Sequence, residues 1–220
     1  MMLAEDLLLL SYDDDTGRRI GMSNLEYALA GAVLIELVEH GRIDVAGEDD
    51  ASLQVSVADD APVGHRVLDE ALATVAGLDG HKPKDAVLGV SGSLATRLLD
   101  ELTERGIADG DEQGRVRILP VNRWPTEESG HEYDVRARLR RALAEDEEPD
   151  ERTAALISLL AAIDAMPRLT EHADRSALRK RAKTIAEGEW APGASKRAIE
   201  EFTAVVMVAA LAPAVMSAGG

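Results

Sequence analysis

A chain of 220 residues that is 45% hydrophobic and 3% aromatic suits one sizeable aliphatic core, and its lack of cysteine excludes disulfides, thiolate metal sites and a cysteine nucleophile. Its formal net charge of -17 opposes binding to nucleic acid or anionic lipid except through a local basic patch. The longest apolar run, from Phe202 to Met216, is shorter than the roughly 20 residues of a membrane span and contains Pro213. The acidic start lacks the positive charges of a secretory signal, so we expect a cytoplasmic protein.

The first half of the chain predicts helices that alternate with two hairpins. In chain order, the patterns predict a short helix or strand over 5–10, an acidic turn over 13–17, a long helix over 25–40, a hairpin with strands 42–45 and 53–57, helices over 67–75, 84–88 and 94–104, and a second hairpin with strands 107–108 and 115–119. Each hairpin follows a helix that ends at a glycine, Gly41 or Gly106. This repeated order of helix, glycine and hairpin indicates either an internal duplication or only the usual way in which helices end. The residues favour neither explanation.

The second half is predicted to be helical, with helices over 134–143, 151–166, 175–187 and 195–215, an acidic break over 145–150 and a turn over 190–193. The helix over 151–166 is apolar almost all round, which predicts a central position. Neither break is long enough for a free linker. We therefore expect a mainly α protein, with residues 1–220 in a single helical domain that carries two short β-hairpins. The use of Arg over Lys and the abundance of Ala are typical of a bacterial protein.

The sequence holds no motif that predicts catalysis, a cofactor or a metal site. No glycine-rich phosphate loop is present, and the segment around Ser91 lacks the second glycine of a nucleophile elbow, so a helix cap is favoured there. The five histidines lie singly, without the i, i+4 spacing of helical zinc ligands. The acidic turn at 13–17 lacks the downstream glutamate of a calcium loop. We expect a protein that is not an enzyme.

Basic residues cluster in three places on this acidic chain. The clusters are Arg136, Arg138, Arg140 and Arg141; Arg175, Arg179, Lys180, Arg181 and Lys183; and Arg115, Arg117 and Arg123. Pairing with neighbouring carboxylates explains them at least as well as anion binding does. In the second hairpin, Val116, Ile118 and Leu119 stand between the arginines, with Trp124 close by. An apolar tip with a basic and aromatic rim suits membrane contact, whereas a strand packed on its own core or on a second copy has the same pattern.

Several blocks along nearly the whole chain resemble one family, that of Golgi phosphoprotein 3. The most specific is an Asp-Ala-Pro-x-Gly turn at 60–64, followed by a Leu-Asp-Glu-Ala-Leu helix at 68–72. The other blocks are 5–10, 29–37, 41–43, 98–107 and 155–161. The resemblance implies a central apolar helix pair ringed by amphipathic helices and hairpins. It also implies a non-enzymatic adaptor at a membrane surface, which in eukaryotic relatives binds phosphatidylinositol 4-phosphate, associates with itself and tethers Golgi enzymes or vesicle coats.

The same resemblance implies that the family's lipid pocket is incomplete in this chain. Judged by distance along the chain from the similar blocks, Gly21 lies where the family has a tryptophan, and Ala30 lies where the family has an arginine. Two further arginines of the family correspond to Gly92 and Ala95. Charge-assisted contacts to phosphate are the strong part of such recognition, so their loss removes most of it. We therefore expect this chain to recognise another headgroup, or a protein.

Arg18, Arg19 and Arg97 lie near these positions in sequence and are our candidates for a substitute headgroup site. The expected partners are an anionic or phosphoinositide lipid at the inner face of a membrane and a second copy of the chain, bound through the second hairpin. Nucleic acid is not an expected partner. Two alternatives stay open: a winged-helix regulator, because helix, glycine and hairpin also build that module, and a hydrolase that uses Ser91 or pairs of carboxylates. The net charge opposes the first alternative.

Overall fold

Helices make up most of the fold. The structure is a computed structural model that describes residues 1–12, 24–49, 52–110, 116–165, 174–188 and 193–216. In these residues the helices are α1 (Leu3–Leu10), α2 (Leu25–Glu39), α3 (Arg66–Ala76), α4 (Pro83–Val90), α5 (Leu94–Glu104), α6 (Thr126–Ala144), α7 (Glu151–Ala162), α8 (Arg175–Ala186) and α9 (Gly193–Met216). The strands are β1 (Ile43–Ala46), β2 (Gln54–Val57), β3 (Ala108–Gly110) and β4 (Val116–Ile118). The expectation of a mainly α fold is confirmed.

Helices α1, α6 and α7 show the main differences between the predicted and the observed elements. Residues 5–10, which fit a helix or a strand, belong to the helix α1. Helix α6 begins about two turns earlier than predicted, and Glu127 and Glu128 in its first turn favour a helix start there. Helix α7 ends at Ala162 rather than at 166. Asp164 has a φ of 54°, in the left-handed region, so the chain leaves the helical path at that point.

Both hairpins are antiparallel and follow the same helix ending. In the first, Ile43 pairs with Val57, and in the second, Ala108 pairs with Ile118. The glycines that end α2 and α5 have φ values of 63° and 73°, which a residue with a side chain rarely adopts. In each case the residue after the glycine donates its backbone N–H to a carbonyl five positions back. The two helix–glycine–hairpin units therefore share one local geometry.

An apolar helix pair, α2 and α7, lies at the centre, and α1 and α9 pack against both of these helices. All eight residues of α1 are buried. Gly31 permits the close approach of α7 and α9 to α2, because a Cβ atom at this position would lie 3.2 Å from Leu159 Cδ2 and 3.2 Å from Val206 Cγ2. The remaining helices and the hairpins surround this centre.

The longest apolar run of the sequence forms the second half of α9. Phe202 and Val206 on this helix are fully buried, which agrees with the expectation of a core helix. Among helices of the described ranges, none combines the length and apolar character that crossing a bilayer requires. The turn predicted at 13–17 lies outside the described residues, as do residues 190–192 of the turn predicted at 190–193. Gly193, the last residue of that predicted turn, begins α9.

Asp150 caps the start of α7 and gives stability a pH dependence. Its carboxylate accepts a hydrogen bond from the Thr153 backbone N–H at 2.7 Å. Burial raises the pKa of the Asp150 carboxyl, but the hydrogen bonds from Thr153 and nearby arginines outweigh it, so the pKa lies below its ordinary value. We expect Asp150→Ala to lower the free energy of unfolding by about 1 kcal/mol at neutral pH.

Because the folded state holds this carboxyl at a lowered pKa, its contribution is present above the unfolded pKa of about 4 and is lost as pH falls through the folded value. Urea unfolding of the wild type and Asp150→Ala at pH 7 and in strong acid measures the difference. Asp150→Asn, which keeps an oxygen acceptor, is the control with the smaller loss. An equal difference for Asp150→Ala at both pH values would contradict the assignment.

Candidate functional site

Two segments far apart in sequence meet where α2 and α5 begin. Glu26 lies in the first turn of α2, and its Oε2 accepts a hydrogen bond from the Ala95 backbone N–H in the first turn of α5, at 3.1 Å. Ala30 follows Glu26 by four residues and so shares its face of α2, where it is fully buried. Gly92 is exposed just before α5. The structure thus joins Ala95 to the α2 face that carries Ala30, while Gly21 lies outside the described residues.

The Glu26 carboxylate occupies the place where the start of α5 would attract an anion. The first N–H groups of a helix lack partners within the helix, and the helix dipole favours negative charge there. Ser93, the residue before α5, has a φ of 55° and makes no capping hydrogen bond with its side chain. A phosphate group that approached this end of α5 would therefore meet a carboxylate of the same sign.

Arg97 lies in the same region, and all its described contacts are structural. Its Nη1 pairs with Glu70 Oε2 on α3 at 2.7 Å. Its Nη2 donates to the carbonyl oxygens of Val90, at 3.4 Å, and Gly92, at 3.1 Å, at the end of α4. A headgroup would have to compete with Glu70 for this guanidinium. Arg18 and Arg19 lie outside the described residues, so the substitute headgroup site stays a prediction.

The second hairpin packs its described apolar side chains inward. Trp124 is buried, and its Nε1 donates to the Leu119 carbonyl oxygen at 2.7 Å. Ile118 and Leu119 are half-buried and pack against the core. Trp124 therefore does not form the exposed aromatic rim that the sequence pattern suggested, because its indole N–H has a partner inside. The side chain of Val116 and the hairpin tip are not described, so a membrane or oligomer contact stays a prediction.

The sequence reading missed a network of buried charges around α1. Glu5 and Asp6 are each only 1% exposed. Arg105 Nη1 lies 2.5 Å from Glu5 Oε1, and Arg105 Nη2 lies 2.6 Å from Glu128 Oε1. Burial lowers the pKa of the Arg105 guanidinium, but these carboxylates raise it more. The sequence did contain a signal for this network: two adjacent carboxylates lie inside an otherwise apolar helix. Buried charges require partners, so these two residues indicate cations nearby in the fold.

Arg152 on α7 extends this network to Glu36 on α2. Its Nη2 lies 3.3 Å from Asp6 Oδ2, and its Nη1 lies 3.3 Å from Glu36 Oε1. Burial lowers the pKa of the Arg152 guanidinium, but Glu36 and Asp6 raise it above its ordinary value. His131 Nε2 on α6 lies 2.7 Å from Asp6 Oδ1. The network ties α1 to α2, α6 and α7.

Glu5, His65 and Glu101 form a group of described side chains whose ligand atoms lie within 4.8 Å of one another. This spacing would suit a metal ion. However, Glu5 is paired with Arg105 at 2.5 Å, and Arg66 Nε lies 3.1 Å from Glu101 Oε1. A cation here would have to share both carboxylates with guanidinium groups, so the arrangement is better suited to ion pairing.

Comparison with known proteins identifies related chains. A family model described as Golgi phosphoprotein 3 (GPP34) matches residues 3–202. Vacuolar protein sorting-associated protein 74 of Eremothecium gossypii is 34% identical to this chain over 84 residues. That similarity covers 35% of this chain and 25% of the relative, so it spans about a quarter of the relative's length. The family model, in contrast, extends from the start of α1 to Phe202 in α9.

Proposed function

The chain belongs to the Golgi phosphoprotein 3 family, and from this premise we propose that it is a non-enzymatic adaptor at a membrane surface whose α5 start does not select a 4-phosphate headgroup. The family match supports the adaptor role. The hydrogen bond between Glu26 and Ala95 supports the changed selectivity, and it is the single observation on which the proposal depends.

Electrostatic repulsion gives the expected size of this effect. A phosphomonoester carries a charge of about -1.5 to -2 near neutral pH. Two unit charges about 4 Å apart near a protein surface interact by about 4 kcal/mol. The Nη1 and Nη2 atoms of Arg97 contact Glu70 and backbone carbonyls, so a headgroup would compete with these groups for them. A 4-phosphate bound at α5 would therefore lose more from Glu26 than one charge-assisted hydrogen bond returns.

Attachment to the membrane is assigned to other parts of the chain in this proposal. Arg18 and Arg19 are the proposed contacts to an anionic headgroup, and the second hairpin is the proposed contact with the bilayer or with a second copy. The surface involved is the cytoplasmic face of a membrane. The formal charge of -17 makes a local contact of this kind necessary, since the overall field repels anionic lipid.

Restoring a family-like site is expected to create a preference for phosphatidylinositol 4-phosphate. In the double variant Glu26→Gln with Ala95→Arg, one repulsive charge is removed and one guanidinium is added at the start of α5. A charge-assisted hydrogen bond contributes about 1.5–3 kcal/mol, which corresponds to about a 10-fold to 100-fold gain in affinity. Flotation with phosphatidylcholine vesicles that contain the 4-phosphate lipid, or phosphatidylserine at equal surface charge, measures this preference.

Glu104→Gln with Ala95→Arg is the matched control, since Glu104 is exposed at the far end of the same helix. The two double variants have the same net charge, so a general electrostatic effect would move both equally. A wild type that already prefers the 4-phosphate vesicles would contradict the role given to Glu26. Equal preference in both double variants would contradict it as well.

A further inference from the structure

A groove of about 820 Å³ lies between α7, α8 and α9. Helix α7 packs against both α8 and α9, whereas among the described residues α8 and α9 have little direct contact, which leaves the space between them open. The uncharged side chains along the groove are mostly small or apolar: Ala161, Ala182, Ala186, Ile199, Ala204 and Met207. The volume lies within the range of about 300–1,000 Å³ that is typical of small-molecule sites.

The charged side chains of the lining are all engaged in ion pairs. These pairs are Asp164 with Arg179 at 2.8 Å, Glu187 with Lys183 at 3.8 Å and Glu200 with Lys196 at 3.6 Å. The charged members of the lining are about half exposed or more, so they lie toward the solvent rather than in the apolar part of the groove. A charged ligand would have to displace an existing pair or remain unpaired, and both cost free energy.

One buried hydroxyl of the lining lacks a partner. Thr203 on α9 is 7% exposed, and its Oγ1 makes no hydrogen bond within the described part of the chain. The hydroxyls of Thr74, Thr103 and Thr184, which also lie on helices, each donate to the carbonyl oxygen four residues back. Thr203 does not use this internal acceptor, and a helical threonine has two accessible χ1 rotamers, so its hydroxyl can turn toward a ligand oxygen. Such a bond would remove the cost of a buried polar group without a partner.

Apolar surface continues from the groove onto exposed α9, where Met207 of the lining and the adjacent Val208 are 47% and 68% exposed. An apolar lining with paired charges and one unpartnered hydroxyl complements an uncharged molecule that has an alkyl chain and one polar oxygen. We propose that this groove binds an uncharged lipid with a hydroxyl head, its alkyl chain along the alanines of α7 and α8 and its oxygen at the Thr203 hydroxyl. This site is separate from the one proposed at α5 and does not depend on it.

Displacement of the uncharged dye Nile red from the full chain tests the charge of the occupant. Decanol, decanoate and decyltrimethylammonium have the same alkyl chain and differ in the charge of the head. We expect Nile red to bind saturably, and decanol to displace it at least about tenfold more effectively than either ion, because each ion brings a charge that the groove leaves unpaired. No saturable binding of Nile red, or displacement by either ion that equals or exceeds that by decanol, would overturn the proposal.

A bulky side chain in the groove tests the location. Ala204 lines the groove from an exposed position, so Ala204→Phe fills the space without crowding the core. We expect it to weaken decanol binding at least about tenfold. Ala177→Phe is its matched control, because Ala177 is an exposed alanine of α8 that does not line the groove. Equal decanol affinity of the two variants would overturn the proposal, and so would self-association of the wild type that Ala204→Phe abolishes, since a second copy would then occupy the groove.

A second pair of variants tests the hydroxyl without filling the groove. Thr203→Val keeps nearly the same shape and removes the donor, so we expect decanol binding to weaken about twofold to tenfold, the effect of one hydrogen bond. Thr184→Val is the matched control, because the Thr184 hydroxyl donates to the Lys180 carbonyl oxygen at 3.1 Å and Thr184 does not line the groove. Unchanged decanol affinity in Thr203→Val, or equal losses in both variants, would overturn the proposal. If Ala204→Phe fails to fold, this pair decides.

Discussion

Replacing Arg152 with alanine is expected to lower the free energy of unfolding by about 3–5 kcal/mol. The guanidinium lies 3.3 Å from Asp6 Oδ2 and 3.3 Å from Glu36 Oε1. These side chains are 1% and 7% exposed, so neither carboxylate can turn to water when its partner is removed. Glu36 also accepts the backbone N–H of Leu3, which fixes its position at the start of α1. The variant therefore removes the guanidinium from both buried carboxylates, while Asp6 keeps its contact with His131 Nε2.

Urea unfolding at neutral pH measures this loss, and Arg140→Ala is the control. Arg140 pairs with Glu145 at 3.3 Å, but the two side chains are 47% and 56% exposed. Such pairs contribute about 0–1 kcal/mol. A loss below about 1 kcal/mol would mean that the buried network does not hold α1 in place.

Replacing Phe202 with alanine is expected to cost about 3–5 kcal/mol through the cavity that it creates. Phe202 is the only phenylalanine of the chain and is fully buried on α9. Helix α9 packs against α2 and α7, and the Phe202 Cβ would lie 3.9 Å from a Cβ atom at Gly31. Because the helices already approach closely here, they have little room to collapse into the space.

The same unfolding experiment uses Val208→Ala as the control, since Val208 on the same helix is 68% exposed. Its substitution is expected to change the stability by no more than about 0.5 kcal/mol. Phe202→Leu, which keeps part of the volume, is expected to fall between the two. If Phe202→Ala and Val208→Ala had similar stabilities, α9 would not belong to the core.

Local patterns predicted those elements whose ends are set by nearby residues. Helix α5 begins and ends where its leucine spacing and Gly106 predict, at Leu94–Glu104. The first hairpin follows from strict alternation and from Gly41. The nature of α1 was ambiguous, because four consecutive leucines at 7–10 suit a buried strand as well as a buried helix. Its burial on all sides, and hence its partners, depends on helices that come much later in the chain.

Contacts between distant residues could not be predicted, and they decide the character of the site. Glu26 and Ala95 are 69 positions apart, and Arg97 and Glu70 are 27 positions apart. Proximity in sequence made Arg97 a candidate for headgroup binding, but only the fold shows that it joins α5 to α3 and α4. Likewise, the pattern around Trp124 did not show that its N–H is paired with Leu119.

The central claim is that this family member attaches to membranes without selecting a 4-phosphate, because Glu26 occupies the start of α5. The most direct measurement is flotation of the wild-type chain with two vesicle preparations of equal surface charge, one with phosphatidylinositol 4-phosphate and one with phosphatidylserine. We predict that the chain floats with both preparations to the same extent. Flotation with neither preparation, or with the 4-phosphate vesicles alone, would contradict the account.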